Sequence, residues 1–503
     1  MIVFFRTDLS LEIGTGHAMR CLSLSKEFKR KGIVTKFIFR DYEDGTRSLI
    51  EKLFPNCYFI ESPSKKNKNL KSDEYRWSHS TKIDDAKKTK DILKDFEVDW
   101  LIIDHYSIDK TWENSIKKYV KNIMVIDDLF DRDHYCNALT DPSSNPTSLK
   151  IYKKRLNKSA DLLIGNKYAL IDSIYSEYRD IYRKRNFKNP RILIFFGGID
   201  IQDHTYETVK FISNANIKFS EIDVVVGNNY HNKNNLRKLC QKNKYNLIVQ
   251  TNKMHELMHN SDISIGSGGI TTWERCSLGL PTFVCQIAKN QEQLIKAAAK
   301  NSLIFSPNSN KNFKIFLKDH LISFLKNASL LEYISNRAFK SIDAKGCNRI
   351  VSYIMQKSLN ARFASIKDSK KIFKWRNSFE VRKFSRNKKI INISDHNNWI
   401  KKILASKKES LIIVENNKDP VGVVRFSILN DSSAEISIYL VPKYIGKGMG
   451  NGVLDKAEEL FLSKFKKIKV INANVLADNE RSKYLFLKSK YEYNDLWFSK
   501  KIN

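Results

Sequence analysis

The sequence lacks the features that mark a membrane-spanning or secreted protein. No apolar run approaches the roughly 18 residues that a transmembrane helix needs. The opening segment, 1–6, has neither a basic leader region nor a cleavage site, so it favours a buried strand over a signal peptide. These absences predict a cytoplasmic protein without stable insertion into a membrane.

Cysteine is scarce, and its spacing matches no metal or redox motif. The 7 cysteines form no Cys-x-x-Cys pair and no cluster with histidine. This spacing predicts small buried side chains in a reducing compartment, and we expect no metal site.

Acidic residues are outnumbered, with 55 Asp and Glu against 88 Lys and Arg and a net charge of +33. A nucleic-acid or anionic-membrane partner is one interpretation of such an excess. However, no stripe interleaves basic and aromatic residues, and the densest run, 65–71, is typical of a loop. We therefore expect solvated charge that attracts anionic substrates, and no nucleic-acid partner.

The chain of 503 residues is long enough for roughly three domains and shows no internal repeat. Two series of apolar strands alternate with helical patterns: 2–5, 35–39, 100–104 and 123–127, then 191–198, 221–227, 246–249, 263–265 and 282–285. They predict two doubly wound Rossmann-like α/β domains, 1–180 and 181–360, with a polar linker at 183–190 and the active site between them.

The pattern changes in the last part of the chain. Consecutive strands at 410–415, 421–429 and 434–441 are separated by turns and followed by a glycine-rich segment and a helix. This order predicts a separate α+β domain over 361–503.

Residues 262–281 are typical of a strand, a glycine turn and a helix. Gly268 and Gly269 allow the sharp turn, and we expect Thr271 and Thr272 to cap the helix. Bare amides at a helix N-terminus bind phosphate. A tight turn in an α/β core is the alternative interpretation.

Glu274 favours the nucleotide interpretation of this turn. It lies one turn into the helix, where a carboxylate is placed to hold a ribose diol, and the segment 289–293 follows.

His17 follows the glycine-rich segment 14–16, which comes after the first strand. The N-terminal dipole of the next helix disfavours the imidazolium and keeps the base neutral near pH 7. A neutral histidine accepts a proton from water. A capping or packing histidine is the alternative that the spacing leaves open.

Several separated motifs together resemble the UDP-sugar hydrolase of pseudaminic acid biosynthesis. They are Arg6-x-Asp8, Gly14-x-Gly16-His17-x-x-Arg20, Ile103-Asp-His-Tyr106, Asp127-Asp128, Gly197-Gly-x-Asp200 and Asn290-Gln291. The resemblance spans about residues 1–300. It implies the two-domain GT-B fold and hydrolysis of UDP-2,4-diacetamido-2,4,6-trideoxy-β-L-altrose to the free sugar and UDP.

By this resemblance, His17 is the general base for water attacking C1, and helix-end amides carry the diphosphate charge without a metal. Tyr106 and Asn290 would position the sugar, and Glu274 would hold the ribose. The other substrate-binding residues that it implies are Asp8, Arg20, Gly198, Asp200, Gly268, Gly269 and Gln291.

A second glycine turn, Gly446–Gly450, follows a strand and opens a helix, as in pyrophosphate-binding loops. With Glu435, Asn479 and the segment 373–377, it resembles the GNAT N-acetyltransferases over about 362–500. The closest type is the nucleotide-amino-sugar enzyme of the same pathway. The acceptor would be the 4-amine of a UDP-4-amino-4,6-dideoxy sugar, and the cosubstrate acetyl-CoA. The cofactor-binding residues implied are Val441, Gly446, Lys447, Gly448, Met449, Gly450 and Asn479.

Two positions depart from the GNAT pattern. Ile445 replaces the usual Arg or Gln, and Phe486 replaces the tyrosine that protonates the thiolate. Tyr484 is a nearby candidate, although two residues turn it by about 200° around a helix. Water as the acid and a slow domain are the alternatives. Glu435 is a candidate base through water, or else an exposed strand carboxylate.

The two resemblances imply consecutive reactions in one bifunctional chain that takes part in pseudaminic acid biosynthesis. A GT-B glycosyltransferase with a UDP-sugar donor is the first rival interpretation, because a fold does not define a reaction. A polyanion-binding protein without activity is the second. The sequence does not indicate an oligomeric state.

Overall fold

The computed structural model describes residues 1–62, 80–143, 145, 147–181, 183–198, 200–215, 217–307, 313–494 and 497–502. The chain divides into two compact units, Ile2–Ile350 and Val351–Asn503 with Met1. The basic run at 65–71, expected to be a loop, lies outside the described residues.

The first unit begins with a parallel sheet of seven strands, ordered β3-β2-β1-β4-β5-β6-β7. The strands are β1 (Ile2–Thr7), β2 (Val34–Asp41), β3 (Cys57–Glu61), β4 (Val98–Asp104), β5 (Val120–Ile126), β6 (Ala138–Asp141) and β7 (Asp161–Ile164). The helices are α1 (Gly16–Arg30), α2 (Arg47–Leu53), α3 (Lys82–Leu93), α4 (Lys110–Ile116) and α5 (Ser148–Arg155). The strand order reverses between β1 and β4, so their carboxyl ends flank the ligand crevice of a doubly wound sheet.

The second sheet of this unit has five strands, ordered β10-β9-β8-β11-β12. The strands are β8 (Arg191–Phe195), β9 (Glu221–Val226), β10 (Asn246–Val249), β11 (Ile263–Ser267) and β12 (Thr282–Cys285). The helices are α6 (Ile174–Arg179), α7 (His204–Ser213), α8 (Lys233–Asn243), α9 (Met254–Asn260), α10 (Ile270–Ser277), α11 (Glu292–Lys300), α12 (Phe313–Lys326) and α13 (Ala328–Ser341). The two Rossmann-like domains of a GT-B fold are thus present, as predicted.

The polar segment at 183–190, predicted as a linker, is hydrogen-bonded to the second Rossmann-like domain. Arg183 donates to the backbone carbonyl of Ser261 (3.0 Å), and Arg185 donates to that of Gly279 (2.8 Å). Buried carbonyls at the ends of neighbouring elements need donors, and these guanidinium groups supply them. Tyr175 already packs in the core of the second sheet, ahead of the predicted division at 180.

Helix α14 (Gly346–Lys357) leads into a mixed sheet of seven strands, ordered β13-β14-β15-β16-β17-β19-β18. The strands are β13 (Leu359–Phe363), β14 (Glu409–Asn416), β15 (Asp419–Asn430), β16 (Ser433–Leu440), β17 (Val470–Ala473), β18 (Glu492–Asn494) and β19 (Trp497–Lys501). The helices are α15 (Ser369–Arg376), α16 (Phe379–Arg382), α17 (Ile393–Ala405), α18 (Gly450–Lys464) and α19 (Glu480–Lys488). This α+β sheet confirms the predicted fold class of the C-terminal part.

Candidate active sites

His17 lies in the first turn of α1, beside the carboxyl end of β4. Its Nδ1 is 2.6 Å from Oδ1 of Asp104. Its ring packs edge-to-face on Tyr106, with the ring centroids 4.4 Å apart. The structure therefore brings together two of the predicted site residues and adds a carboxylate to which the sequence assigned no role.

The charge of Asp104 determines which nitrogen of His17 holds the proton. Burial alone would raise the pKa of Asp104, but the neighbouring Arg20 and His17 hold that pKa well below its ordinary value. An ionised carboxylate only accepts hydrogen bonds, so Nδ1 of a neutral His17 is the donor. The lone pair is then on Nε2, as a general base requires.

The guanidinium of Arg20 bridges the carboxylates of Asp104 and Asp128. Its Nε and Nη2 lie 2.5 and 2.7 Å from the two oxygens of Asp104, and its Nη1 lies 2.8 Å from Asp128. The hydroxyl of Tyr106 donates to the other oxygen of Asp128 at 2.7 Å. Arg20 thus orders the groups around His17, and its direct contact with substrate stays a prediction.

Asp8 is fully buried rather than open to the crevice. It pairs with Arg6 at 2.6 Å and accepts hydrogen bonds from Tyr42 (2.8 Å) and from Nε2 of His105 (2.8 Å). Because His105 lies between Asp104 and Tyr106 in sequence, this buried network holds the loop that carries both residues. The geometry thus favours a positioning role for Asp8.

The glycine turn after β11 opens α10, but not with the predicted cap. The N-cap is Gly269, whose φ is +107°. A Cβ placed on Gly269 would have no neighbouring atom within 4 Å. The cap expected from Thr271 and Thr272 is wrong, because both lie inside the first helical turn. A Cβ on Gly268 would come within 2.7 Å of Ile295, so this glycine is needed for close packing against α11.

Glu274 is only partly exposed, one turn into α10. Burial raises the pKa of Glu274 to about 7, although Arg275 and a hydrogen bond from Tyr175 act in the opposite direction. Asp172 and Lys26 also act on this carboxyl. Those two residues line a cavity of about 550 Å³, within the size range of ligand pockets.

Loops of the second Rossmann-like domain reach the first one at two points. A Cβ on Gly198 would lie 3.9 Å from Oγ1 of Thr15, two residues before His17. The amide of Asn145, after β6, donates to the side-chain oxygen of Gln293 at 3.5 Å. Both contacts lie within the first compact unit, so the loop near 198 and the start of α11 face the end of the first sheet.

The other predicted residues of these loops have structural partners. Asp200 accepts from the backbone N–H of Thr205 at 2.7 Å and so caps α7. Gln291 accepts from the backbone N–H of Ile287 at 3.1 Å. Asn290 is partly exposed in a 3-10 turn, Lys289–Gln291. Their contact with substrate stays a prediction.

The glycine turn before α18 has the backbone of an anion-binding loop. Gly446 and Gly448 both have φ +78°, and the space around the missing side chain of Gly446 is open. Left-handed residues in such a turn expose N–H groups that bind phosphate oxygens. The N–H of Lys447 is not one of them, because it donates to the carbonyl of Tyr444 at 3.2 Å. Met449 is the N-cap of α18, so the helix dipole adds to this effect.

Strand β16 separates from its parallel neighbour before it reaches this turn. Its pairing with β17 ends at Ile436 and Ala473, whereas β16 continues to Leu440. The last residues of β16 therefore have no pairing partner on β17. Val441 follows as a buried residue.

The predicted acid and base of this unit have different surroundings. Glu435, on β16, pairs with Arg386 at 2.5 Å. Tyr484 is 67% exposed on α19, whereas Phe486 is buried against Tyr491. Tyr484 thus has the position of a surface aromatic, which weakens its assignment as the acid.

Asn479 is the N-cap of α19. Its side-chain oxygen accepts from the backbone N–H of Ser482 at 3.1 Å. This bond holds the start of the helix, and contact with a pantetheine arm stays a prediction.

A row of polar residues next to Glu435 was missed in the sequence. Ser427 lies directly opposite Glu409 on one side and Glu435 on the other, so the three share one face of the sheet. Arg425, two residues along β15, donates to Ser427 at 3.0 Å and pairs with Glu409 at 3.3 Å. Strand periodicity predicts the face of each residue, but only the register places them in one row.

The described part of the chain contains no group of three or more His, Cys, Asp and Glu side chains suited to a metal ion. None of its helices combines the length and apolarity needed to cross a bilayer. Six of the 7 cysteines are buried as predicted, whereas Cys57 is partly exposed.

The C-terminal part is similar to known acetyltransferases. The family model "Acetyltransferase (GNAT) domain" matches residues 359–492. Acetyltransferase PseH of Campylobacter jejuni is 24% identical over 126 residues, which cover 25% of this chain and 78% of that protein. The predicted GNAT domain is thereby confirmed.

The N-terminal part is similar to a sugar-nucleotide hydrolase. UDP-2,4-diacetamido-2,4,6-trideoxy-β-L-altropyranose hydrolase of Campylobacter jejuni is 24% identical over 303 residues, covering 60% of this chain and 97% of that enzyme. The solved structure of Acinetobacter baumannii MurG aligns with a TM-score of 0.48 at 12% identity, covering 70% of this chain and 99% of that one.

An uncharacterized protein of Methanocaldococcus jannaschii is similar over nearly the whole chain. It is 25% identical over 502 residues, covering 95% of this chain and 94% of its own length. Together the comparisons confirm the predicted resemblance to a hydrolase followed by a GNAT domain, and they support enzymatic activity.

Proposed function

We propose that the first unit hydrolyses UDP-2,4-diacetamido-2,4,6-trideoxy-β-L-altrose to the free sugar and UDP. The observation that carries this proposal is the contact of His17 Nδ1 with Asp104, which favours the tautomer whose basic lone pair is on Nε2. The similarity to the Campylobacter jejuni hydrolase supplies the substrate.

In this mechanism Nε2 of His17 removes a proton from water while the oxygen attacks C1 of the sugar. The bond between C1 and the phosphate oxygen breaks, and UDP leaves with the electron pair. Asp104 stabilises the imidazolium that forms, as in other His–Asp pairs. The amides at the start of α10 stabilise the charge on the departing diphosphate, and Glu274 holds the ribose.

The second unit, in this proposal, acetylates the 4-amine of a UDP-4-amino-4,6-dideoxy sugar. Amides of the turn Gly446–Gly450 hold the pyrophosphate of acetyl-CoA, because two left-handed glycines shape this turn. The amide of Lys447 is not among them, since it donates to the carbonyl of Tyr444. Glu435 removes a proton from the ammonium through water. Because Tyr484 is exposed, we assign water as the source of the proton that the thiolate of the released CoA takes up.

Proton NMR of the 4-amino UDP-sugar with acetyl-CoA and the full chain tests both steps. A new N-acetyl signal should appear first, followed by UDP and a free sugar whose first-formed anomer is inverted at C1. UDP release that requires an added sugar acceptor would instead assign a glycosyltransferase. Absence of any new N-acetyl signal would refute the acetyltransferase step.

A further inference from the structure

The end of helix α14 contacts the glycine turn that we assign to acetyl-CoA. Residues from Val351 onward belong to the second compact unit, so the last two turns of the helix are part of it. The side-chain amide of Gln356 donates to the carbonyl oxygen of Gly448 at 3.2 Å. Gln356 precedes residue 359, where the match to the GNAT family begins.

Two glycines, Gly448 and Gly452, lie where α14 packs closely against the turn and against α18. A Cβ on Gly448 would come within 3.2 Å of Oγ of Ser352, and one on Gly452 would come within 2.6 Å of Cγ of Gln356. Gly452 lies inside α18, where glycine is unfavourable relative to alanine. Close approach of Gln356 gives a physical reason for this residue type.

The bond from Gln356 defines the orientation of one peptide group in the turn. In a trans peptide, the carbonyl of one residue and the N–H of the next point in opposite directions. Since the Gly448 carbonyl faces Gln356, the N–H of Met449 faces away from α14. Met449 is one of the amides that we assign to the pyrophosphate.

We propose that Gln356 is a positioning residue of the acetyl-CoA site. It orients the Gly448–Met449 peptide so that the Met449 amide is available to the pyrophosphate before the cosubstrate binds. This inference rests on the proposed acetyltransferase function. It extends the cosubstrate site to a helix that precedes the matched GNAT domain.

Calorimetric titration of the full chain with CoA tests the proposal. Gln356→Leu keeps the volume but removes the donor, so we expect the Kd for CoA to rise about three- to tenfold, the effect of one neutral hydrogen bond. The KM for acetyl-CoA should rise in parallel, with kcat at saturation unchanged. Gln356→Lys keeps an N–H donor and should bind more tightly than Gln356→Leu.

The exposed Asn360 on β13 provides the matched control, and Asn360→Ala should bind CoA like the wild type. Equal losses in the Leu and Lys variants would assign a packing role and overturn the proposal. A Kd for Gln356→Leu within twofold of the wild type would overturn it as well. Failure of the wild-type chain to bind CoA is a different result, which removes the proposed acetyltransferase itself.

Discussion

Asp104 belongs to a hydrogen-bond network that links His17, Arg20 and Tyr106, the residues on which the proposed hydrolysis depends. It contacts His17 through one oxygen and is held by two nitrogens of Arg20. Arg20 also contacts Asp128, to which Tyr106 donates. A buried network in which each charge has a partner restricts the rotamers of its members, and so the base is oriented before substrate arrives.

His17→Ala removes the proposed base without touching the nucleotide loops. We expect turnover of the UDP-sugar to fall by about 10²–10⁴, as for loss of a positioned general base. Titration with UDP should give an unchanged Kd. A parallel loss of UDP binding would show that His17 supports the structure instead.

Asp104→Asn tests the orientation of the imidazole separately from its presence. The amide removes the ionised acceptor, so Nδ1 no longer has to carry the proton and the favoured tautomer is lost. We expect kcat to fall by at least about tenfold, with the Kd for UDP unchanged. A kcat within twofold of the wild type would contradict this role.

The proposed role of Glu274 predicts that UDP binding depends on pH near neutrality. Burial raises its pKa in the free protein to about 7, so the carboxylate proposed to accept from the ribose hydroxyls is only partly populated at pH 7. We expect the affinity for UDP to increase as the pH rises through this pKa and to weaken about tenfold per unit below it.

Glu274→Gln should remove the part of the pH dependence of UDP affinity that comes from the protein. Titration with uridine, which carries no phosphate, separates this carboxyl from the ionisation of UDP itself. A uridine affinity that is independent of pH in the wild type would refute the assignment.

At the scale of elements, both proposed sites use a glycine turn at the start of a helix. The turn before α10 has φ +107° at Gly269, and the turn before α18 has φ +78° at Gly446 and Gly448. Such angles expose backbone N–H groups where a side chain would be strained. The open space at Gly269 and Gly446 leaves room for a phosphate to approach.

Gly446→Ala tests the second turn by backbone strain alone, since a Cβ there has no neighbour within 4 Å. A left-handed alanine is unfavourable by roughly 1–2 kcal/mol. We expect either a distorted turn or a strained one, and a Kd for CoA raised about fivefold to thirtyfold.

The matched control is Gly32→Ala, at φ +77° with equally open surroundings in the first unit. It should lower the melting temperature without changing CoA binding. Equal effects of the two substitutions on CoA binding would exclude a specific role for the turn at Gly446.

At the scale of the molecule, the two proposed activities belong to separate compact units with separate cores. One core of the second sheet is built from residues between 192 and 334, whereas Ile372, Ile400 and Ile413 belong to a core in the second unit. The net charge of +33 would provide a positive field for the proposed anionic sugar nucleotides.

We expect the two activities to respond independently to substitution. His17→Ala should lower UDP release by about 10²–10⁴ and leave N-acetylation at the wild-type rate. Gly446→Ala should raise the KM for acetyl-CoA and leave UDP release unchanged. The double variant should show the product of the single effects, since sites without shared partners act additively. Each activity is followed by NMR on its own substrate, and loss of both activities in either single variant would contradict the independence.

Local patterns in the sequence were sufficient for much of this architecture. Apolar runs of strand length, such as β4 and β5, and the alternation in β15 and β16 predicted their elements correctly. Both glycine turns were located because glycine at a strand–helix junction has a local physical meaning. The capping by Thr271 and Thr272 failed because α10 already begins at Ile270, with Gly269 as its N-cap.

What the sequence determined by itself is therefore the type of each element and the places where the backbone must turn, because both depend on neighbouring residues. Only the tertiary structure decided which side chains meet. Asp104 lies 87 positions from His17, and the contact exists because β4 lies beside β1 in the sheet. The row of Glu409, Ser427 and Glu435 likewise depends on strand register, which is set by the packing of the whole sheet.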